Sequence, residues 1–278
     1  MGSLREIKER IGSVKSTLKI TSAMKLVASS KLRKSQKAIE AMLPYKEALE
    51  DILSSVPSVP GMSRESEGGK TAIVAIASNS SLCGSFNANI IKVALQEASR
   101  YDDSRVIAIG RKMSDAVRKA GFPQEKDLSS LVGKPSYDEA GALAQSLIDA
   151  YLKGEYGRVI LVYNHFVSTS RQEPVVEQYL PLAAQAPKEE FEETVDEYIF
   201  EPSAEEISGE ILPQVLRLKV FTAILDSAAA EHAARTVAMQ TATDNAEDIL
   251  SELTLEYNKG RQQKITAEIL DLVGGTAE

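Results

Sequence analysis

The first fifty residues constrain the fold of this chain more than any other stretch. Between Leu4 and Ser55 there is one proline, Pro44, and no glycine after Gly12. Apolar residues recur there at alternating steps of three and four, at Leu4, Ile7, Ile11, Val14 and Leu18. This heptad spacing lays one apolar stripe along a helix that packs lengthwise on another helix. We therefore predict a single helix of roughly 80 Å over residues 4–55.

The end of the chain predicts a second long helix, from Ser203 to about Val273. Ser203 followed by Glu206 has the spacing of a capping box, which marks a helix start. Pro213 predicts a kink or a delayed start, with the uninterrupted part beginning near Gln214. The three–four spacing returns at Met239, Ala242, Ala246, Ile249 and Leu253. This helix would measure roughly 105 Å, so we expect one end of it to project beyond the first helix.

Short apolar runs alternate with helical segments between these two ends. The runs predict strands at 71–77, 105–110 and 158–166, and the segments between them predict helices at 87–101, 111–121 and 137–153. Strands that alternate with helices form a parallel sheet with right-handed crossovers. The next run, VSTSRQEPVVEQYLPL, predicts an antiparallel hairpin, and EYIFEP at 197–202 predicts a short edge strand.

The predicted fold class is therefore α/β, with a mostly parallel, Rossmann-like sheet inserted between two long helices. Residues 56–70 contain Pro57, Pro60 and two adjacent glycines, which is typical of a linker. We place the domain borders at 1–57 for the first helix, 70–202 for the inserted domain and 203–278 for the last helix.

No residue pattern in the chain indicates catalysis, a metal or a cofactor. The only cysteine, Cys83, would need a paired histidine to act as a nucleophile, and neither His165 nor His232 lies in a motif. A lone cysteine also precludes an internal disulfide and disfavours secretion. The loop SNSSLCGSFN and the turn Gly110-Arg111-Lys112 lack the GxGxxG and GxxxxGK[ST] phosphate-binding patterns. Two alternatives stay open: a nucleotide-binding α/β protein with a helical arm, and a basic coiled-coil adaptor for nucleic acid.

Charge and apolar residues are distributed unevenly along the first helix. Residues 1–50 contain eleven Lys/Arg and five Asp/Glu, although the whole chain has a net charge of −8, which disfavours general nucleic-acid binding. Beyond Leu18 apolar residues occur on several sides of the helix, at Ile20, Ala23, Met24, Leu26, Val27, Ala28 and Leu32. A helix that is apolar all round is enclosed on more than one side. Either the second long helix is not its only neighbour, or this segment lies inside another protein, and the basic charge of residues 1–50 suggests that a partner near it is acidic.

Three segments carry a resemblance to a known family. IKERIGSVKSTLKITSAMKLVASSKLRKSQ at 7–36, SLCGSFNANI at 81–90 and AEHAARTVAMQTATDNAEDILSELTLEYNKGRQQKITAEILDLVGG at 230–275 resemble the gamma-subunit family of ATP synthase. The resemblance implies that the two terminal helices form a long antiparallel coiled coil, the central shaft of the F1 motor. It implies a non-catalytic subunit at the cytoplasmic face of a bacterial plasma membrane, associated with the membrane only through the complex.

The same resemblance implies partners and contact residues. The partners are the ring of α and β subunits, the epsilon subunit and the membrane c-ring, with no nucleic acid. Contacts with β subunits are implied for Met24, Lys25, Arg235, Arg261, Gln262 and Thr266. Contacts of the foot with the c-ring are implied for Tyr198, Phe200 and Glu201.

The loop after the first strand departs from the family pattern. Asn79, Ser80 and Ser81 replace the usual Asp-Arg-Gly, and Ser85 replaces a glycine. Any contact that the family makes through charges of this loop is therefore in doubt for this chain.

Overall fold

A computed structural model describes residues 3–55, 62, 69–122, 126–182 and 201–274. The helices are α1 (Leu4–Ser55), α2 (Phe86–Ala98), α3 (Arg111–Lys119), α4 (Ser129–Gly133), α5 (Tyr137–Leu152) and α6 (Ala204–Gly274). The strands are β1 (Lys70–Ile76), β2 (Ser104–Ile109), β3 (Tyr156–Phe166) and β4 (Gln172–Leu180). The predicted long helices are both confirmed, and only the five-residue α4 was not anticipated.

α1 and α6 pack against each other as an antiparallel pair. Thr243 Oγ1 donates to Thr21 Oγ1 at 2.9 Å, and Lys25 Nζ donates to Gln240 Oε1 at 2.8 Å. At the start of α1, Leu4 lies against Gly260, where an added Cβ would be 2.9 Å from Leu4 Cδ2. As the residue number rises along α1, the number of the contacting residue in α6 therefore falls, so the two helices run in opposite directions.

The contact stripe of α1 does not end at Leu18. Its inward residues continue the same heptad repeat at Thr21, Ala28, Leu32, Ile39, Met42 and Leu49. The sequence pattern was misleading here because small or polar residues, Thr21 and Ala28, occupy inward positions. Larger apolar neighbours point outward instead.

Side-chain caps close the beginnings of both long helices. At α1, Ser3 N donates to Glu6 Oε2 at 2.9 Å and Glu6 N donates to Ser3 Oγ at 3.3 Å, a reciprocal capping box. At α6, the predicted cap is present, with Glu206 N donating to Ser203 Oγ at 3.3 Å.

The predicted delayed start at Pro213 is wrong, since α6 begins at Ala204 and continues through the proline. Proline removes the hydrogen bond to the carbonyl four residues earlier. That carbonyl belongs to Gly209, which is exposed, so water can replace the lost donor. Leu212 and Leu216 on either side are buried in the core, so tertiary packing favours continuation of the helix through the proline.

The sheet has the order β2-β1-β3-β4, parallel except for the β3–β4 hairpin. One face is covered by α2 and α3, and the other by α4, α5 and the first third of α6. The hairpin was predicted, but its first strand is β3 itself, and residues 167–171 form the turn. Of the predicted edge strand, 201–202 are described and form a bend, whereas 197–200 lie outside the described residues.

The last part of α6 extends alone, as expected from its greater length. Leu4 is the first helical residue of α1 and lies against Gly260, and residues 261–270 are all exposed. Fourteen residues follow Gly260 in the helix, which corresponds to roughly 20 Å. Across the described ranges, no helix is long and apolar enough to cross a membrane.

Candidate functional site

The outer side of α1 exposes large apolar side chains. Ile20, Leu26 and Val27 are 60%, 67% and 57% exposed, on the same segment that was predicted to be enclosed. Met24 and Lys25 beside them are partly buried, and Lys25 Nζ reaches across the coil to Gln240. Apolar residues that do not serve the fold of their own chain indicate a surface for a partner.

A shallow groove with three cations adjoins this apolar side. It has a volume of about 460 Å³ and is lined by Leu26, Ser29, Ser30, Arg33, Lys34 and Lys37. All six residues belong to α1, so the groove is built on a rigid element. Its chemistry fits a partner that presents carboxylates near apolar side chains.

The projecting end of α6, which we call the tip (residues 261–270), is the second exposed surface. Arg261, Gln262 and Thr266 are exposed there, and Thr266 Oγ1 donates to the carbonyl of Gln262 at 2.9 Å. Ile265, Ile269 and Leu270 are exposed as well. The tip therefore combines polar groups with apolar side chains that have no partner within the described part of the chain.

Arg235 lies in a different environment from the other predicted contact residues. Its Nη1 pairs with Glu231 Oε1 at 2.5 Å, and its Nη2 donates to Ser80 Oγ at 2.8 Å and to the Ser81 carbonyl at 3.2 Å. The two charged side chains are only 11% and 8% exposed. In this conformation the guanidinium ties the β1–α2 loop (residues 78–85) to α6, and its contact with a β subunit stays a prediction. Glu231, four residues earlier on the same helix face, was missed at the level of sequence.

The β1–α2 loop is held in one shape by its own polar groups. Ser78 N donates to Asn87 Oδ1 at 3.0 Å, and Ser78 Oγ donates to the Ser80 carbonyl at 2.6 Å. Beyond them Leu82 adopts a φ of +67°, a left-handed conformation that is uncommon for leucine, and its side chain is 59% exposed. The loop therefore presents an apolar side chain to solvent from a rigid backbone.

Two backbone amides at the start of α3 that could have held a phosphate are already occupied. At the start of α3, Arg111 N donates to Asn79 Oδ1 at 3.1 Å and Lys112 N donates to the Ser78 carbonyl at 3.1 Å. Gly110 before them has a φ of +95°, and an added Cβ would lie 2.1 Å from the Ala77 carbonyl oxygen. A helix N-terminus binds anions through free backbone amides. Here oxygen atoms of the chain itself occupy the positions that the oxygens of an anion would take.

Cys83 does not have the surroundings of a nucleophile. It is 1% exposed, and burial raises the pKa of its thiol. Its nearest polar partner is Asn87, whose Nδ2 donates to Sγ at 3.1 Å, while His165 Nδ1 pairs with Asp226 at 2.6 Å. Within the described ranges, no group of His, Cys, Asp and Glu side chains could hold a metal ion.

His232 of α6 is half-buried near the charge of Lys31 on α1, and its imidazole is held neutral. Burial, together with the smaller effects of the nearby Lys31 and Arg235 charges, lowers the pKa of its imidazole to about 4. Its Nδ1 is buried and has no hydrogen-bond partner in the described part of the chain. Protonation would therefore add a third cation where two already lie.

Of the three residues for which a c-ring contact is implied, one lies within the described residues. Glu201 is exposed just before α6 begins. Tyr198 and Phe200 lie outside the described residues, so the proposed contact of this region with a c-ring stays a prediction.

Comparisons with known proteins agree along the whole chain. A family model described as "ATP synthase" matches residues 3–277. The ATP synthase gamma chains of Bacteroides fragilis and Phocaeicola vulgatus are 49% and 50% identical, each alignment covering 99% of both proteins. A chain in the structure of the Euglena gracilis mitochondrial ATP synthase, OSCP/F1/c-ring, superposes with a TM-score of 0.70 at 20% identity, covering 99% of this chain and 94% of that one.

Breaking the buried Arg235–Glu231 pair on one side should be costly. Arg235→Met leaves the Glu231 carboxylate buried and unpaired, so we expect the free energy of unfolding to fall by about 3–5 kcal/mol. The double variant Arg235→Met/Glu231→Leu should recover most of this loss, because no uncompensated charge remains. Urea unfolding followed by circular dichroism measures both. A double variant as unstable as the single one would contradict this account.

Stability should decrease with acid through His232. Its pKa is about 4 in the folded chain and near the usual value of 6.5 in the unfolded chain, so the unfolded state binds more protons between these values. The free energy of unfolding should therefore fall as the pH drops from 6.5 to 4, by up to about 3 kcal/mol. The difference between wild type and His232→Gln, measured by urea unfolding at several pH values, isolates this contribution. A difference that is independent of pH would refute it.

Proposed function

The chain belongs to the ATP synthase gamma-chain family, and from that premise we propose that it is the central rotor shaft of an F1Fo ATP synthase. One observation carries the proposal: Ile20, Leu26 and Val27 are exposed on the outside of α1, and the α6 tip projects beyond the start of α1 with all its residues exposed. Both surfaces suit a rod enclosed by a ring of alternating α and β subunits. Rotation of this rod couples proton flow through the membrane c-ring to ATP synthesis or hydrolysis in the ring.

The rod has the stiffness that transmission of torque requires. α1 and α6 contain 52 and 71 residues and keep one heptad repeat along their contact. Polar contacts between the helices, such as Thr243 to Thr21, add to the apolar packing and fix the register. A stiff coil turns as a unit, so a rotation imposed at one end appears at the other.

The rod also has the asymmetry that coupling requires. A pair of helices has no threefold axis, so three chemically identical sites around it meet different side chains at any moment. Turning the rod exchanges these contacts among the sites, which changes their nucleotide affinities by rigid-body rotation.

Contacts between shaft and ring should be weak enough to exchange. Lys25 and the cations of the α1 groove would face acidic loops of β subunits, and exposed ion pairs contribute only about 0–1 kcal/mol each. Met24 would lie at the narrowest point of this bearing. Arg261, Gln262 and Thr266 on the tip would contact β-subunit loops farther along the ring, since all three are exposed.

The opposite end of the molecule would contact the membrane part of the motor. Tyr198, Phe200 and Glu201 are proposed to rest on the c-ring, with the epsilon subunit beside the α/β domain. The complex would lie at the cytoplasmic face of the bacterial plasma membrane, and this chain would associate with the membrane only through it. The family and its bacterial relatives support this location.

We assign no catalytic site to the chain itself. Occupied amides at the start of α3 disfavour the alternative of a nucleotide-binding α/β protein with a helical arm. The isolated chain should accordingly bind neither ATP nor ADP in equilibrium dialysis.

Assembly with the ring subunits tests the proposed function directly. The purified chain is mixed with purified α and β subunits of the same organism, and ATP hydrolysis and complex formation are measured. We expect a complex whose ATPase rate depends on the chain. A ring that hydrolyses ATP equally well without the chain, and does not retain it on gel filtration, would refute a shaft role.

Met24→Lys should weaken coupling in the reconstituted enzyme. A new ion pair of roughly 1 kcal/mol would favour some shaft angles about fivefold over others. ATP hydrolysis should continue, while the number of protons pumped per ATP falls in reconstituted vesicles. Met24→Leu adds no charge and serves as the matched control. If the Lys and Leu variants pump equally, Met24 does not lie at the bearing.

A further inference from the structure

The end of strand β3 is fastened to α6 by a single carboxylate. Asp226 Oδ1 accepts a hydrogen bond from the backbone N–H of Phe166 at 2.8 Å, and Asp226 Oδ2 pairs with His165 Nδ1 at 2.6 Å. The side chain of Asp226 is 19% exposed, whereas that of His165 is 52% exposed. One side chain of α6 therefore holds both the main chain and a side chain at the last two residues of β3.

Asp226 lies where α6 passes from the α/β domain into the coil. Leu225, one residue earlier, belongs to the core on one face of the sheet. Ala229, three residues later, packs with Leu32 of α1. Phe166, whose amide Asp226 holds, packs against the same part of the coil. The carboxylate therefore joins the domain to the coil at the place where their two cores meet.

A second ion pair joins α6 to the β3–β4 hairpin two helical turns earlier. Lys219 precedes Asp226 by seven residues, so both side chains lie on one face of the helix. Lys219 Nζ pairs with Glu177 Oε1 of β4 at 2.8 Å. Here α6 supplies the cation, whereas it supplies the anion in the pair with His165. Of the two pairs, only the one with histidine contains a group whose charge commonly changes near neutral pH.

The charged groups around His165 leave Asp226 as its ion-pair partner. Glu173 of β4 lies directly across from His165, but Arg171 Nε donates to its carboxylate at 2.7 Å. Burial raises the pKa of Tyr163 on β3, so its phenol carries no charge near neutral pH. Within four residues on either side of Asp226, α6 has no other charged side chain. Among the described residues, no ion pair joins His165 to α1.

The chain contains two histidines, and only one of them can change its charge near neutral pH. The pKa of His232 is lowered to about 4, so its imidazole stays neutral between pH 6 and 8. Protonation of His165 adds the attraction between opposite charges to its hydrogen bond with Asp226. Loss of the proton leaves only a neutral Nδ1–H as the donor. The pair is therefore strongest at acidic pH and weakens as the pH rises.

We propose that His165 and Asp226 form a pH-sensitive latch between the α/β domain and the coil. With His165 protonated, the latch holds the end of β3 against α6. With His165 neutral, the hydrogen bond from the Phe166 amide breaks more easily and the joint loosens. The regulatory role rests on the proposed shaft function, because torque between the domain and the coil passes through this joint. The latch itself does not, since both of its partners belong to this chain.

Hydrogen exchange at the Phe166 amide measures the latch in the isolated full-length chain. Its protection factor, corrected for the intrinsic exchange rate, is determined by NMR at pH 6, 7 and 8. We expect the wild type to lose protection about threefold as the pH rises, as for a partly exposed ion pair. His165→Gln retains a donor that does not titrate, so its protection should not change with pH. Asp226→Asn keeps an acceptor for Phe166 without the negative charge, and its protection should also be independent of pH.

Lys219→Gln is the matched control for these variants. It removes the cation of the neighbouring pair with Glu177, so its Phe166 amide should follow the wild-type dependence on pH. Wild-type protection that is independent of pH, or that changes equally in His165→Gln, would overturn the latch. This readout needs no other subunit, so its failure is distinct from failure of the shaft assignment.

The assembled enzyme then tests whether the latch acts on the shaft. A bead is attached to the α/β domain while the coil is held in a stalled ring of α and β subunits, and the angular fluctuations of the bead are recorded at pH 6 and 8. The wild type and Lys219→Gln should fluctuate more widely at pH 8, whereas His165→Gln should fluctuate equally at both values. Equal fluctuations of the wild type at both pH values would overturn the regulatory role.

Discussion

The antiparallel contact between α1 and α6 is the interaction on which the rest of the structure depends. It joins residues more than two hundred positions apart, as the Thr21–Thr243 and Lys25–Gln240 hydrogen bonds illustrate. On one face of the sheet, the hydrophobic core is shared with the coil, because α6 residues from Leu212 to Leu225 form part of it. A single helix therefore belongs both to the coil and to the α/β domain, so any movement of the domain displaces the coil.

The joint between these two parts is polar as well as apolar. Phe166 packs on the small residues Ala229, Ala230 and Ala233, while the Arg235–Glu231 pair fastens the β1–α2 loop above them. An ion pair buried in this way contributes little to net stability but is costly to break on one side. Its effect is to specify the position of the loop relative to α6. The loop has lost the family's Asp-Arg-Gly, and backbone and hydroxyl oxygens of Ser80 and Ser81 receive the arginine instead.

The exposure of several large apolar side chains is explained by contacts with other subunits in an assembly. Ile20, Leu26 and Val27 on α1, and Ile265, Ile269 and Leu270 on the tip, gain nothing from the fold of their own chain. Exposed apolar groups on rigid helices favour association, and cations beside them select an acidic partner. The family assignment explains this combination, since a shaft contacts its ring without being fixed to one neighbour.

The sequence by itself determined the local structure and the family. Heptad spacing and the Ser203–Glu206 cap predicted both long helices, and β-branched runs predicted the parallel strands, since these signals act within a few residues. The resemblance of the terminal segments to the family implied partner contacts at Met24 and Lys25, and these contacts stay a prediction. Only the tertiary structure decided which neighbours each side chain meets. Thr21 faces inward while Ile20 faces out, α6 passes through Pro213, and Arg235 binds Ser80, 155 positions earlier in the chain. Each of these outcomes depends on contacts between distant segments, whose energies are not encoded in any local pattern.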